Sequence, residues 1–482
     1  MLSVVLYSVA FPPVDLGLLI LVALVPWFNQ LRDSTPRQAW RSGILFGALF
    51  WLYQMVWIMP FVGRWASFEW ALLPWLLCPV VGCWYFAATG WLIQRCFASG
   101  HAWLIPLVWA GIEAARSYVP LLAYPWGLVG TPLWIVPQLI QTAAFGTIFL
   151  VSAWVVLVNL VVANLLVKSD RRQTMTLASV ALAFMCLSLG RYLQQPSGEK
   201  RRIAIGQPGV DMAFLSPDQQ QVRLAEVVPV LGAQAVTNRA DLLILPEGLS
   251  PGGDGLPPQT PFGGPPPLPT VLGGRRGSSP AYQSAFGFDG VRWSYTDKIR
   301  LVIFGEYVPA RDFFPFLEDF RLPSGDFVPG DRHRVLKVAG ISVGPMICFE
   351  AMFPNIAQAQ ADNGAQLLAT LSNDDWFMGT GAPEQLRIGS IFRAVESGLP
   401  LARSGSQGRT TAIDARGRIV AEAPYRVQRL VMADLVIPTK SDSFAYRWVF
   451  PWLAGLAAAI PLLLRPASRP TESSPKPRRP SA

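Results

Sequence analysis

Eight stretches of this chain are apolar and free of charged side chains, and they constrain its fold more than any other feature. A transmembrane helix needs about 20 mostly apolar residues to cross the hydrocarbon core of a bilayer. Most of the stretches approach or exceed that length, and the two at the start of the chain are interpreted as a short hairpin of spans. We therefore predict spans over residues 1–11, 16–31, 42–63, 70–94, 97–112, 145–167, 173–190 and 448–464.

A charge-free segment near residues 117–144 differs from these spans because it contains four prolines, which would break a regular helix. Irregular backbone at membrane depth must be shielded from lipid, so we predict that this segment is re-entrant or packed against other helices. No basic region precedes the first apolar run, and a cleavable signal peptide is therefore not expected there.

The spans divide the chain into four parts. Residues 1–192 are predicted to form a membrane domain of about seven spans, and residues 193–443 a hydrophilic domain. The last span lies within 444–465. The tail over 466–482 is rich in Pro, Ser and Arg and is predicted to be disordered and cytoplasmic.

Basic residues in the short loops predict the orientation, because Lys and Arg accumulate on the cytoplasmic side of a membrane. With the N-terminus inside, twelve basic residues fall on cytoplasmic segments and two on the opposite side. The hydrophilic domain is therefore predicted to lie outside the cytoplasm. Topology and anionic lipid headgroups account for part of the net charge of +9, so nucleic acid is not an expected partner.

Short apolar runs alternate with a few helical patterns in residues 193–443, which is typical of an α/β layered domain. Residues 217–228 and 385–395 are predicted helices, the first ended or kinked by Pro229. The Gly- and Pro-rich residues 251–280 are predicted to be a loop or lid. Strands are predicted at 202–205, 242–245, 301–304, 335–338, 341–347, 367–371, 401–404, 410–413 and 430–436.

Cys348 is the most reactive candidate in the hydrophilic domain. It is the domain's only cysteine and follows the apolar run 341–347, whereas the only histidine there is His333 in a charged turn. Ser-His-Asp catalysis and metal binding are therefore disfavoured, and no cofactor or metal is expected. A thiol needs a base or cation nearby to become a nucleophile. Glu247, after one predicted strand, and Lys298, before another, meet that need.

Four motifs follow one another along the hydrophilic domain. They are Leu-Pro-Glu247, Lys298 with Phe-Gly-Glu-Tyr-Val-Pro at 304–309, Cys348-Phe-Glu350, and Ser-Asn-Asp-Asp-Trp-Phe at 372–377. In this order they resemble the motifs of the nitrilase superfamily, and in particular of its membrane-embedded branch, the apolipoprotein N-acyltransferases. The resemblance implies a polytopic α-helical membrane bundle plus a nitrilase-like αββα sandwich. It also implies a bacterial inner-membrane protein with its catalytic domain on the periplasmic side.

The resemblance further implies a catalytic set of Glu247, Lys298 and Cys348. Cys348 would form a thioester with an acyl chain from a phospholipid such as phosphatidylethanolamine, and the acceptor would be the α-amine of a diacylglyceryl-cysteine in an apolipoprotein. Glu247 would move the protons and Lys298 would stabilise the oxyanion. The residues expected to support this set are Glu306, Glu350 and Asn373.

Three residues depart from the family pattern. Arg300, Ile303 and Phe349 stand where the family usually has other residues, which affects the expected shape of the acyl pocket.

Two other functions stay open. A membrane-anchored carbon-nitrogen hydrolase would share the catalytic set but use water as the acceptor. A lipid-binding protein without catalysis would share only the fold.

Two charged pairs at helical i,i+3 spacing are predicted to be structural. They are Glu113 with Arg116 in the membrane domain and Arg393 with Glu396 in the hydrophilic domain.

Overall fold

The computed structural model describes residues 1–63, 68–119, 123–253, 256, 258–303, 305–308 and 326–465. The predicted tail at 466–482, Phe304 and Pro309 of the second motif, and Pro120 lie outside these residues.

The N-terminal part of the chain is helical. Its α-helices are α1 (Leu2–Val9), α2 (Val25–Arg32), α3 (Pro36–Gln54), α4 (Ile58–Gly63), α5 (Phe68–Ala98), α6 (Ile105–Tyr118), α7 (Ala143–Leu166) and α8 (Arg171–Leu193). Among the described residues, three helices are long and apolar enough to cross a bilayer: Ala71–Ala98 within α5, α7 and α8. The other predicted crossings and the domain boundaries stay predictions.

Local sequence explains how α3 begins and how it packs. Thr35 and Gln38 form a capping box at its start, where Pro36 occupies the first turn. Gly43 and Gly47 then lie one turn apart on the face that meets α5. A Cβ atom on Gly43 would come within 2.3 Å of the Phe86 carbonyl oxygen, so these glycines let the two backbones approach closely.

The proline-containing segment after α6 has the irregular backbone that its sequence predicts. Its described residues from 123 to 142 form coil and two short 3-10 helices, Thr131–Ile135 and Pro137–Leu139. Its position relative to a membrane stays a prediction.

Two buried charges of α6 hold this segment. Glu113 Oε1 accepts a hydrogen bond from Val129 N at 2.7 Å, and Arg116 donates to the Trp126 carbonyl at 2.6 Å. The predicted structural role is confirmed, but through contacts with the segment instead of an ion pair between the two side chains.

The hydrophilic domain contains two sheets, each with six described strands. The strands are β1 (Glu199–Gln207), β2 (Leu242–Ile244), β3 (Thr270–Arg276), β4 (Tyr282–Phe288), β5 (Trp293–Asp297), β6 (Leu336–Val338), β7 (Ile341–Ile347), β8 (Leu367–Ser372), β9 (Leu401–Gly405), β10 (Thr411–Ile413), β11 (Ile419–Glu422) and β12 (Arg429–Ile437). The first sheet has the order β12-β1-β2-β3-β4-β5 and the second β11-β10-β9-β8-β7-β6. β1 and β2 are parallel, as are β7, β8 and β9.

The sheets pack face to face and helices cover their outer faces. Ile203 and Ile244 of the first sheet share one apolar core with Val343 and Leu371 of the second. Helix α9 (Pro217–Thr237) covers the first sheet. Helices α10 (Pro354–Asp362) and α11 (Ala382–Ser397) cover the second, and they share a core with the N-terminal helices. The predicted αββα sandwich is confirmed. Helix α11 lies between the second sheet and the N-terminal helices. Helix α12 (Val449–Leu463) follows and packs on α6, where Gly111 leaves room for Ala454.

Three local predictions are wrong. The predicted loop at 251–280 contains strand β3. Gly273 and Gly274 suggested a loop, but they lie in the strand because close packing leaves no room there for a Cβ atom. Residues 301–303 are not a strand, since Ile303 forms only an isolated bridge with Tyr307. Pro229 was predicted to end or kink its helix, and the first alternative is wrong, because α9 continues to Thr237 and stays buried at Leu231 and Ala235 beyond the proline.

Candidate active site

Glu247, Lys298 and Cys348 each follow the end of a strand. Glu247 lies in the turn after β2, Lys298 directly follows β5, and Cys348 directly follows β7. Lys298 was expected to precede a strand, and the structure corrects this to the end of β5, a strand that the sequence did not predict. Strand ends hold side chains firmly at one edge of the sandwich, where the three residues meet.

Lys298 is the central cation of the site. Its Nζ lies 2.6 Å from Glu306 Oε1 and 3.5 Å from Glu247 Oε1, and its side chain is fully buried. Burial alone would lower the pKa of Lys298, but the charges of Glu247 and Glu306 outweigh it and raise the pKa above its ordinary value. Lys298 is therefore a permanent positive charge in a site shielded from water.

Glu247 has the properties of a general base. Its Oε2 accepts a hydrogen bond from Asn373 N at 3.2 Å. Burial raises the pKa of Glu247 to about 7, although the positive charge of Lys298 opposes the rise. A carboxylate with a pKa near neutrality both accepts and returns protons efficiently.

Cys348 is a buried thiol on a strained turn. It begins a 3-10 turn, Cys348–Met352, and its φ of +52° lies in the left-handed region that side chains disfavour. Burial and the charge of Glu247 raise the pKa of Cys348 to about 12, against the opposing charge of Lys298. The resting residue is therefore a thiol, and a base would have to take its proton before the sulfur could act as a nucleophile.

Glu350 and Glu306 connect the segment after Lys298 to the end of β7 and to Lys298 itself. Glu350 Oε1 accepts hydrogen bonds from Ile299 N at 2.8 Å and Arg300 N at 3.0 Å. Its Oε2 accepts from Ile347 N at 2.8 Å. Glu306 Oε2 accepts from Val302 N at 2.8 Å while its other oxygen contacts Lys298.

Asn373 places its backbone N–H on Glu247 and points its side chain elsewhere. Its Oδ1 lies 3.2 Å from Asp375 N and 3.1 Å from Ser406 Oγ. The structure thus brings together all six residues that the sequence singled out. Their chemical roles remain the proposals made below.

Two polar residues of the motif at 372–377, Ser372 and Asp375, lie near the site but were not predicted as site residues. Ser372 Oγ lies 3.6 Å from Cys348 Sγ and 2.7 Å from Asp374 Oδ1. Asp375, whose pKa burial raises to about 7, accepts hydrogen bonds from Met212 N and Ser406 Oγ, each at 2.6 Å. The signal available in the sequence was the run of four polar residues, 372–375, at the end of the buried strand β8.

An aromatic cluster from the membrane domain borders the site. The ring of Tyr124 lies 6.1 Å from that of Phe349, the neighbour of Cys348, and stacks at 5.5 Å on Trp126. The Trp57 ring meets Phe377 edge-on at 5.2 Å. An apolar wall of this kind suits an acyl chain better than a polar substrate. Phe349, a departure from the family pattern, belongs to this wall.

Metal chemistry finds no support in the part of the chain that the structure describes. No three His, Cys, Asp or Glu residues there are grouped so that they could hold a metal ion.

Comparison with known proteins extends the resemblance beyond the motifs. Residues 3–161 match the family model of the apolipoprotein N-acyltransferase N-terminal domain, and residues 283–439 match that of carbon-nitrogen hydrolases. The apolipoprotein N-acyltransferase of Geobacter metallireducens is 27% identical over 95% of this chain and 93% of its own length. The chain is similar to apolipoprotein N-acyltransferases over nearly its whole length. The resemblance seen in the motifs is thereby confirmed.

A second apolipoprotein N-acyltransferase is similar over almost the same length. The apolipoprotein N-acyltransferase of Azotobacter vinelandii is 28% identical over 96% of this chain and 94% of its own. Among solved structures, a carbon-nitrogen hydrolase from Helicobacter pylori is 15% identical, and the match covers 49% of this chain and 89% of that one with a TM-score of 0.36.

Proposed function

We propose that this protein transfers a fatty acyl chain from a phospholipid to the α-amine of the diacylglyceryl-cysteine of apolipoproteins. The observation that carries the proposal is the meeting of Glu247, Lys298 and Cys348 in a buried site that borders an aromatic wall of the membrane domain. Phosphatidylethanolamine is the donor that we expect.

The first half-reaction would acylate the enzyme. As Cys348 Sγ attacks the ester carbonyl of the phospholipid, Glu247 takes the thiol proton and Lys298 faces the negative charge that develops on the carbonyl oxygen. The tetrahedral intermediate then collapses, and Glu247 returns the proton to the departing lysophospholipid oxygen. The products are a lysophospholipid and a thioester on Cys348.

The second half-reaction would use the same groups in the same order. The acceptor amine attacks the thioester carbonyl, Glu247 takes a proton from the nitrogen, and Lys298 again faces the oxyanion. Collapse expels the sulfur, which recovers a proton from Glu247. The net change is an amide on the lipoprotein and a regenerated thiol.

We place the site on the periplasmic side of the bacterial inner membrane. The distribution of twelve basic residues against two in the loops supports this orientation. Two lipid substrates that stay in a bilayer would also explain why a catalytic sandwich is joined to so much membrane helix.

The alternative, a hydrolase that resolves the thioester with water, is disfavoured by that same architecture. The two functions separate in one experiment. The purified protein is incubated in phosphatidylethanolamine vesicles with a diacylglyceryl-cysteine peptide, and lipids and peptide are analysed by mass spectrometry. The transferase yields N-acyl peptide and lysophospholipid in equal amounts, and Cys348→Ala yields neither. Free fatty acid with unmodified peptide would establish the hydrolase.

A further inference from the structure

The hydroxyl of Ser372 stands between the proposed nucleophile and a buried carboxylate. Its Oγ lies 3.6 Å from Cys348 Sγ and 2.7 Å from Asp374 Oδ1. Ser372 and Asp374 are 1% and 0% exposed, so water does not compete for these contacts. A serine hydroxyl has one proton to donate, and it therefore serves only one of the two acceptors at a time.

In the resting thiol state, Asp374 is the better acceptor. A carboxylate accepts a short, charge-assisted hydrogen bond, whereas a neutral thiol is a weak acceptor. Ser372 then presents a lone pair to the Cys348 thiol. Once the thiol loses its proton, the sulfur carries a full negative charge and becomes a strong acceptor itself.

Asp374 is built to release the serine proton without becoming an unpaired buried charge. The Arg403 guanidinium contacts both carboxylate oxygens, at 2.8 Å and 2.7 Å, and is itself 1% exposed. The carboxylate sits against Gly408, where a Cβ atom would come within 1.7 Å of Asp374 Oδ2. The ion pair is thus fixed in place whichever way the hydroxyl points.

We propose that Ser372 is a further catalytic residue, whose hydroxyl turns from Asp374 to Cys348 Sγ as Glu247 removes the thiol proton. Asp374 and Arg403 are positioning residues that act through Ser372. No proton leaves Ser372, because only the direction of its O–H bond changes. The same turn stabilises the sulfur when it departs from the second tetrahedral intermediate. The inference rests on the proposed role of Cys348 as the nucleophile.

The charged groups that act on the sulfur differ in what they contribute. Glu247 and Asp374 disfavour a negative sulfur, whereas Lys298 favours it. Ser372 adds a donor at hydrogen-bonding distance on the side of β8, and it is the group whose removal changes the thiolate without removing a charge.

Alkylation of Cys348 tests the proposal without any lipid substrate. The full chain in detergent is treated with iodoacetamide at pH 8, and the rate at Cys348 is followed by peptide mass spectrometry. Because only the thiolate reacts, loss of the hydrogen bond in Ser372→Ala is expected to slow alkylation about tenfold, the effect of one unit of thiol pKa. Ser372→Thr keeps a hydroxyl and is expected to react within about twofold of wild type.

Ser390→Ala is the matched control. Ser390 is equally buried, and its hydroxyl contacts Thr370, on the same strand as Ser372. It tests whether loss of any buried hydroxyl in this layer slows the reaction. We expect Cys348 in Ser390→Ala to be alkylated at the wild-type rate. Equal slowing by Ser372→Ala and Ser390→Ala would overturn the proposal.

Asp374→Asn supplies a prediction of opposite sign. Asparagine competes less strongly for the serine proton, so its alkylation is expected to be at least as fast as that of wild type. Slowing by Asp374→Asn to the level of Ser372→Ala, or unchanged alkylation in Ser372→Ala, would overturn the proposal. So would a wild-type Cys348 that stays unreacted under conditions that alkylate it in the denatured chain. A protein that alkylates as expected but transfers no acyl chain would instead contradict the proposed function alone.

Discussion

Glu247 shows how burial sets the chemistry of a single residue in this protein. Its pKa rises from the ordinary carboxyl value to about 7 because the side chain is removed from water. Only the ionised carboxylate can take the thiol proton. Its neighbour Cys348 has its pKa raised to about 12, so in the proposed mechanism the sulfur depends on Glu247 as its base at every physiological pH.

This residue-scale account predicts a pH dependence for acylation of the enzyme. A base whose pKa is raised loses its ionised form as the pH falls through about 7, and the rate should then drop about tenfold per pH unit. Rapid-quench measurement of acyl-enzyme formation from pH 5 to pH 9 would show the inflection. In Glu247→Gln the rate should be low and flat over that range. A wild-type rate that stays constant down to pH 5 would contradict the role assigned to Glu247.

At the scale of elements, close contact between β3 and the Glu247 turn positions the base. A Cβ atom on Gly273 would come within 2.6 Å of Glu247 Cα, and Gly273 N donates a hydrogen bond to the Pro246 carbonyl at 3.0 Å. Gly273→Ala must therefore move the turn that carries the base.

We expect Gly273→Ala to lower the acylation rate at least about tenfold, because displacement of a catalytic group by even 1 Å is costly. The matched control is Gly264→Ala, since nothing lies within 4 Å of a Cβ atom at Gly264. Steady-state acyl transfer by the two purified variants gives the comparison. Equal activity of Gly273→Ala and Gly264→Ala would show that this contact does not position Glu247.

The elements also show what sequence could and could not predict. Strand β7 is uncharged and mostly apolar, and it matched its prediction at both ends. Strand β3 was not predicted because its two glycines are required by close contact with the turn that contains Glu247. The local sequence gives no sign of that contact. Because β4 and β5 were not predicted, the sequence did not show that Lys298 follows the end of a strand.

Within the site, residue types were easier to predict than contacts. Glu247, Lys298 and Cys348 stood out because each adjoins an apolar run and a motif. The contact of Ser372 with Cys348 joins the ends of β8 and β7, which are close only in the folded sandwich, so spacing could not reveal it.

At the scale of the whole molecule, one buried ion pair joins the membrane helices to the catalytic turn. Helix α7 is interrupted at Gly146 and Thr147, and Glu396 of α11 accepts a hydrogen bond from Ile148 N at 2.7 Å just beyond the break. Arg393 pairs with Glu396 at 2.8 Å, which confirms that prediction, and also donates to the Met352 carbonyl of the turn begun by Cys348.

Removal of this link should destabilise the whole chain. Glu396→Ala leaves a buried arginine without its carboxylate, a loss of about 3 kcal/mol that corresponds to a fall in Tm of roughly 3 °C for a chain of this length. Glu226→Ala is the matched control, because Arg223 and Glu226 have the same i,i+3 spacing on α9 but are more than half exposed. The control should change Tm by less than about 1 °C. Equal shifts in thermal scans of the two variants would contradict the proposed link.

The most direct test of the account is whether Cys348 carries the acyl chain. Intact-protein mass spectrometry is performed on wild type and Cys348→Ala after incubation with phosphatidylethanolamine and no acceptor. The account predicts one added acyl mass on wild type alone, which disappears when a diacylglyceryl peptide is added. Absence of the adduct on wild type, or its presence on Cys348→Ala, would contradict a thioester on Cys348.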